Sequence, residues 1–142
     1  MKTEKFKFFD HMADIKFQAY GKTINEVFEN SALAMSFYLS GEEKIASKKG
    51  KIINVQGQDY ESLLYNFLDE LIYLLDAESF VISKVEVQIM GFNLKAELYG
   101  DDAKKYKLDH IKAATYAEMH IKKIKNKSGK DENWEAQVVL DV

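Results

Sequence analysis

The stretch "FVISKVEVQIMGFNLKAELYG", residues 80 to 100, decides the fold. Two strand-like runs, 80–90 and 93–100, meet at Gly91-Phe92-Asn93, and so tight a junction reads as a β-hairpin joining antiparallel neighbours. Just before it, "DYESLLYNFLDELIYLLDAE" places Leu63, Leu64, Phe67, Leu68, Leu71, Ile72 and Leu75 on one wide apolar face. That spacing predicts a well-buried helix over about 59–75, with Asp59 as its cap. Further upstream, "IKFQAY" (15–20) sets Ile15, Phe17 and Ala19 against Lys16, Gln18 and Tyr20, the pattern of a half-buried strand that Gly21 ends. "TINE" (23–26) has the form of a capping box, so a helix is expected over about 24–39 with Gly41 as its stop. "KIINVQ" (51–56) reads as a short strand after a polar connection. Past a charged segment at 101–109, "HIKAATYAEMHIKKIK" alternates Ile111, Ala113 and Thr115 with Lys112, Ala114 and Tyr116, and is read as a strand running to about 124. "KNKSGKDEN" is a turn, and "WEAQVVLDV" a closing strand with Trp134, Ala136, Val138 and Leu140 on one face. The order β, α, β, α and then several β predicts an α+β sandwich, two helices packed against a largely antiparallel sheet, as one domain over 1–142.

Composition narrows the function classes. The chain has 142 residues, 46% hydrophobic and 13% aromatic, in the range of a folded protein with one sizeable core. Its net charge is −3, and all 20 basic residues are lysine. Without arginine, the fork-shaped donor suited to phosphate and guanine is missing, which argues against a sequence-reading nucleic-acid binder. The absence of cysteine removes disulfides, thiolate nucleophiles and cysteine zinc sites. The first ten residues lack the apolar run of a signal peptide, and no stretch approaches the roughly 20 apolar residues of a membrane span. A cytoplasmic, membrane-free protein is expected.

Familiar catalytic motifs are missing: no Gly-rich phosphate loop, HExxH, EF-hand loop or GxSxG elbow. His11, His110 and His120 lie far apart, and each alone reads as a surface or hydrogen-bonded histidine. The acids of 59–78 read as a solvated helix face, and "KKYK" and "KKIKNKSGK" as solvated edges, with a phosphate-facing role as their alternative. Asp14 opens the first of these strands and Asp141 closes the last, next to the terminal carboxylate on Val142. If those strands pair antiparallel, the three acidic groups converge. An all-oxygen cluster suits a hard cation, Ca²⁺ or Mg²⁺, which also relieves the mutual repulsion of the carboxylates.

Taken together, five segments in order resemble the archease family, accessory proteins of the RtcB-type RNA ligase. "HMADIKF" resembles the family's H-T-A-D motif, "EVFENSALAM" its first helix and "DYESLLYNFLDELIYLLDAE" its acidic-aliphatic second helix. "IKAATYAEM" resembles I-K-A-V-T-Y-H, and "WEAQVVLDV" the terminal V-L-D-I. The resemblance implies a non-catalytic activator that promotes guanylylation and multiple turnover of the ligase, notably in tRNA splicing, and that broadens its nucleotide use. RNA and GTP would be met only through the ligase. It implies a divalent cation held by Asp14, Asp141 and Val142, the last through a backbone or terminal oxygen, with Lys112 as a further functional position and His11 shaping the site. The chain departs from the family pattern at Met12, where threonine is usual, at Ala117, where a histidine is expected, and at His110, where glutamate is common; the segment 101–110 is also short. Two other classes remain to be weighed: a general chaperone or interaction module, and a hydrolase using paired acids with His11.

Overall fold

In the computed structural model, which describes residues 4–11, 14–125, 129 and 132–142, seven strands and two helices form. Strand β1 (Phe6–His11) pairs with β2 (Asp14–Gly21). Helix α1 (Ile24–Ser40) starts where the Thr23 hydroxyl accepts the Glu26 N–H at 3.1 Å and stops at Gly41, whose φ of +64° suits glycine. Strand β3 (Lys49–Gln56) leads to α2 (Tyr60–Glu78), capped reciprocally by Asp59 and Ser62. The hairpin β4 (Phe80–Met90) and β5 (Asn93–Asp102) turns at Gly91, with φ +63°. A single 3-10 turn (Ala103–Lys105) precedes β6 (Ala113–Lys125) and β7 (Glu132–Asp141).

Every strand pair is antiparallel, as expected, but the strands divide into two sheets rather than one. One has the order β1-β2-β7-β6 and the other β3-β5-β4. Each helix touches both sheets: α1 meets β2, β7 and β4, and α2 meets β6, β3 and β4. A helix so placed must bury more than one stripe, and α1 does. Alongside Val27, Phe28 and Met35 it buries Asn30, Ser31 and Ser36. Those polar groups are satisfied by main-chain carbonyls: Asn30 donates to Tyr20 at 2.6 Å, Ser31 to Val27 at 2.8 Å and Ser36 to Ile82 at 2.5 Å. The core fills the space between the sheets, with Phe17 and Leu140 from one, Leu94 and Leu98 from the other, and Phe28 against Phe67 between the helices at 6.2 Å.

Strand β1 is absent from the sequence-based expectation. Its alternation of Lys5, Phe6, Lys7 and Phe8 is regular, but only Phe6 and Phe8 turn toward the helices. Helix α2 also runs three residues beyond the expected end at 75. Met12 and Ala13, the side chain of His11 and most of the expected turn at 126–131 lie outside the described residues.

Candidate functional site

The first four-stranded sheet lines up four positions at one end: His11 opposite Asp14, Asp14 opposite Asp141, and Asp141 opposite Ala113. The convergence expected of the two aspartates is therefore met by direct pairing. Its hydrogen-bond phase can be worked out. The Tyr20 N–H donates to the Lys5 carbonyl at 2.9 Å, so pairs in step with Lys5/Tyr20, including His11/Asp14, are the hydrogen-bonded ones. The main-chain groups of Asp14 thus face β1. On the far side, the Asp141 carbonyl accepts the Lys112 N–H at 2.8 Å and so faces β6. Asp14/Asp141 is then a non-hydrogen-bonded pair, the class in which Cα atoms approach to about 4.5 Å and side chains stand closest.

Phe17, Ala19, Val138 and Leu140 point into the core, so by alternation the two carboxylates stand on the outer face of the sheet, away from the helices. Both aspartates are half-buried, as is Val142, whose side chain packs at the margin of the core. Like charges directly opposed across a ladder are unfavourable, and a hard cation between them would remove that cost. The pair fits such an ion in chemistry and proximity. Among the described residues no three His, Cys, Asp or Glu side chains form a metal-holding group. A cation with six to eight oxygen ligands would need others beyond the two carboxylates, from Val142, main chain, water or a partner.

Lys112 sits just ahead of β6 with its side chain exposed, tied to Asp141 through its own N–H. The segment carrying it is fixed by buried Ile111 and by the Asp109 N–H, which donates to the Leu39 carbonyl at 2.8 Å. His110 on that segment is exposed, and His120 lies elsewhere, 2.8 Å from Glu135. One is thus a surface histidine and the other a hydrogen-bonded one, as read from the sequence. Asp69 and Asp76 of α2 are exposed as expected. Of the two lysine runs, Lys105 is paired with Asp101 at 3.1 Å, and Lys123 lies over the Trp134 ring at 5.4 Å.

The structure adds residues that the sequence reading passed over. Strand β6 places four residues, 116–119, where β7 has only Val138. This bulge covers the outer face beside the aspartates and buries Val139 and Gln137 beneath it. Glu118, at its crest with φ +53°, offers its carbonyl to the Gln137 amide at 2.8 Å and its carboxylate to Lys16 at 3.4 Å. Gln137 in turn accepts from Gln18, which accepts from the Tyr20 hydroxyl, each at 2.8 Å. Lys16 was legible, since alternation puts it on the face of Asp14. Glu118 was not, because nothing in "TYAEMH" announces a bulge.

These features define a two-sheet α+β protein whose outer sheet face ends in a paired carboxylate, without the residue constellations of a known catalytic motif. The model of the Archease protein family (MTH1598/TM1083) matches residues 6–142, and the chain belongs to the archease family. It is 36% identical to protein archease of Pyrococcus abyssi over 146 residues, covering 98% of this chain and 99% of the relative. With protein archease of Methanosarcina barkeri the identity is 37% over 147 residues, covering 98% and 97%. The solution structure of Methanobacterium thermoautotrophicum protein 1598 superposes with a TM-score of 0.80 at 33% identity, covering 97% of this chain and 99% of that one. Among the described residues, no helix is long and apolar enough to cross a membrane.

Proposed function

We propose that this protein is a metal-binding accessory factor that activates an RtcB-type RNA ligase in tRNA processing, acting in the cytoplasm without a reaction of its own. The direct Asp14/Asp141 pairing, with the Lys112 N–H on the Asp141 carbonyl, is the observation that supports this reading. Asp14 and Asp141, with an oxygen of Val142, would hold Ca²⁺ or Mg²⁺, which when bound supplies positive charge at the end of the sheet. Lys112 adds a fixed cation on the neighbouring segment. Guanylylation of a ligase is a phosphoryl transfer, whose transition state spreads negative charge over phosphate oxygens, so positive charge presented to the partner's active site lowers its barrier. RNA and GTP belong to the ligase, not to this chain.

Single-turnover guanylylation of a cognate ligase, with and without this protein and across Ca²⁺ and Mg²⁺, tests the reading. Faster guanylylation with the wild-type chain, lost with folded Asp14→Ala or Asp141→Ala and reduced with Lys112→Ala, is the expected result. Full activation by either folded aspartate variant would sink the metal-dependent mechanism. Metal-independent suppression of aggregation of unrelated proteins, with no effect on the ligase, would point to a general chaperone instead.

A further inference from the structure

A second surface, remote in chemistry from the carboxylate pair, lies along α1 between one edge strand of each sheet. Strand β1 ends one sheet and β4 ends the other. Edges normally carry some device that blocks further pairing, and among the described residues two of the four are closed here. The edge of β4 is sealed by α1: Glu29 accepts the Val87 N–H at 2.7 Å and Asn25 the Ile89 N–H at 3.0 Å. Burial pushes the Glu29 carboxyl up, against the Val87 bond that lowers it. Strand β6 is interrupted by its bulge. Strand β3 is tied to α2 through Asn66 on the Gln56 carbonyl at 2.8 Å and Glu78 on Lys51 at 2.6 Å. Among the described residues, however, no group bonds the outward main chain of Gly50, Ile52 and Asn54, and no helix residue floors that edge as Phe37 does beside β1.

Strand β1 is short and carries Lys7, but among the described residues no helix, bulge or side-chain bond closes its main-chain edge. The phase set by the Tyr20–Lys5 bond turns the N–H and C=O groups of Phe6, Phe8 and Asp10 away from β2, and no described group bonds to them. Phe6 and Phe8 pack on Phe37 of α1, and two adjoining hollows make a groove there, one lined by Phe6, Leu33, Phe37 and Ser83 and the other by Phe8, Asp10 and Phe37. Phe37 is 47% exposed there. Charged residues beside it are Asp10 at the second hollow and Glu42, Glu43, Lys5 and Lys44 at the first. Glu4, Glu26, Glu29 and Lys84 lie at a third, which shares Leu33 and Ser83 with the first.

We infer that β1 and this groove receive an extended segment of a partner protein, added to the sheet as a fifth strand. Main-chain bonds to Phe6, Phe8 and Asp10 give the affinity, and alternate side chains give the selectivity. Directly opposed residues share a face, so the positions facing Phe6 and Phe8 are apolar and the one facing Asp10 is basic. Asp10, the one charged side chain of β1 on the face of Phe6 and Phe8, favours a segment with a basic residue opposite it over one with an acidic residue. This inference goes beyond the proposed role and is independent of any metal.

Amide hydrogen exchange read by NMR tests it, with two synthetic peptides built on the patterns Lys-Thr-Val-Thr-Val and Glu-Thr-Val-Thr-Val as probes and no divalent metal present. In the free protein the Lys7 and Phe9 amides are protected by β2, while those of Phe6, Phe8 and Asp10 exchange fast. The lysine peptide is expected to slow Phe6, Phe8 and Asp10 severalfold, the glutamate peptide to leave them unchanged, and Asp10→Lys to reverse the preference. Phe37→Ser, at a half-exposed position, should weaken the effect without unfolding the chain. Binding that leaves those three amides unprotected, or no discrimination between the peptides, would overturn the inference. So would protection that grows with protein concentration alongside a dimer in sedimentation, since the occupant would then be a second copy.

Discussion

At the scale of single residues, a tightly held charge lies away from the candidate site. Asp101 is 2% exposed, yet its carboxylate accepts from the Tyr106 hydroxyl at 2.7 Å, from the Asp102 N–H at 2.8 Å and from Lys105 at 3.1 Å. The Tyr106 bond above all, helped by Asp102 and Lys105, holds its carboxyl down at about 2 against the opposing effect of burial. Tyr106 also accepts the Ala46 N–H at 3.0 Å, so this one carboxylate ties the α1–β3 connection to the segment that leads on to Lys112. A carboxyl whose folded value is depressed stabilises above its unfolded value and loses that contribution as pH falls through the folded one. Asp101→Asn should therefore lower the urea midpoint at neutral pH, and the gap to wild type should close between about pH 4 and 2. Urea titrations over that range check this, and a gap that persists unchanged to pH 2 would contradict it. From the sequence Asp101 was only part of a charged segment, because its role depends on Tyr106 folding back over a 3-10 turn. Asp14 and Asp141 were legible as strand ends, and their meeting was read on the condition that those two strands pair antiparallel, which the sheet supplies.

Elements were readable where local chemistry and burial agree. Both helices, the hairpin at Gly91-Phe92 and the closing strand carry period and punctuation that point the same way. Strand β6 was legible as a strand but not as a bulged one, and β1 went unread because Phe6 and Phe8 bury against α1 only once the helix is in place. The division into two sheets was likewise not local, since it depends on the helices separating β2 and β7 from β4. One element end remains suboptimal. Helix α2 is followed by Ser79 at φ +53°, ψ +40°, a left-handed conformation that costs most residues but not glycine. Ser79→Gly should stabilise the protein by about 0.5–1 kcal/mol, whereas Ser79→Val should destabilise it, because a β-branched side chain is strained there. Thermal unfolding of both variants checks the sign, and a glycine variant no more stable than wild type would show that the left-handed turn carries no cost.

At the scale of the whole molecule, the site exists only in the folded state. Asp14 belongs to β2 and Asp141 to β7, and nothing but the sheet places them side by side. This makes the proposed cation a folding ligand: an ion that binds the native pair and not the unfolded chain stabilises by RT ln(1 + [L]/Kd), about 2.7 kcal/mol at a hundredfold excess over Kd. Without metal, the same pairing works against the fold, because two carboxylates stand directly opposite each other. Replacing Asp141 by Asn removes that repulsion and should gain about 0.2–1 kcal/mol in metal-free buffer. With saturating Ca²⁺, wild type gains the binding term and Asp141→Asn loses most of it. The two proteins should therefore exchange rank in thermal stability between chelator and calcium. A removed surface charge with no metal linkage would leave the variant's advantage the same in both buffers, and that outcome would count directly against the paired aspartates as a cation site.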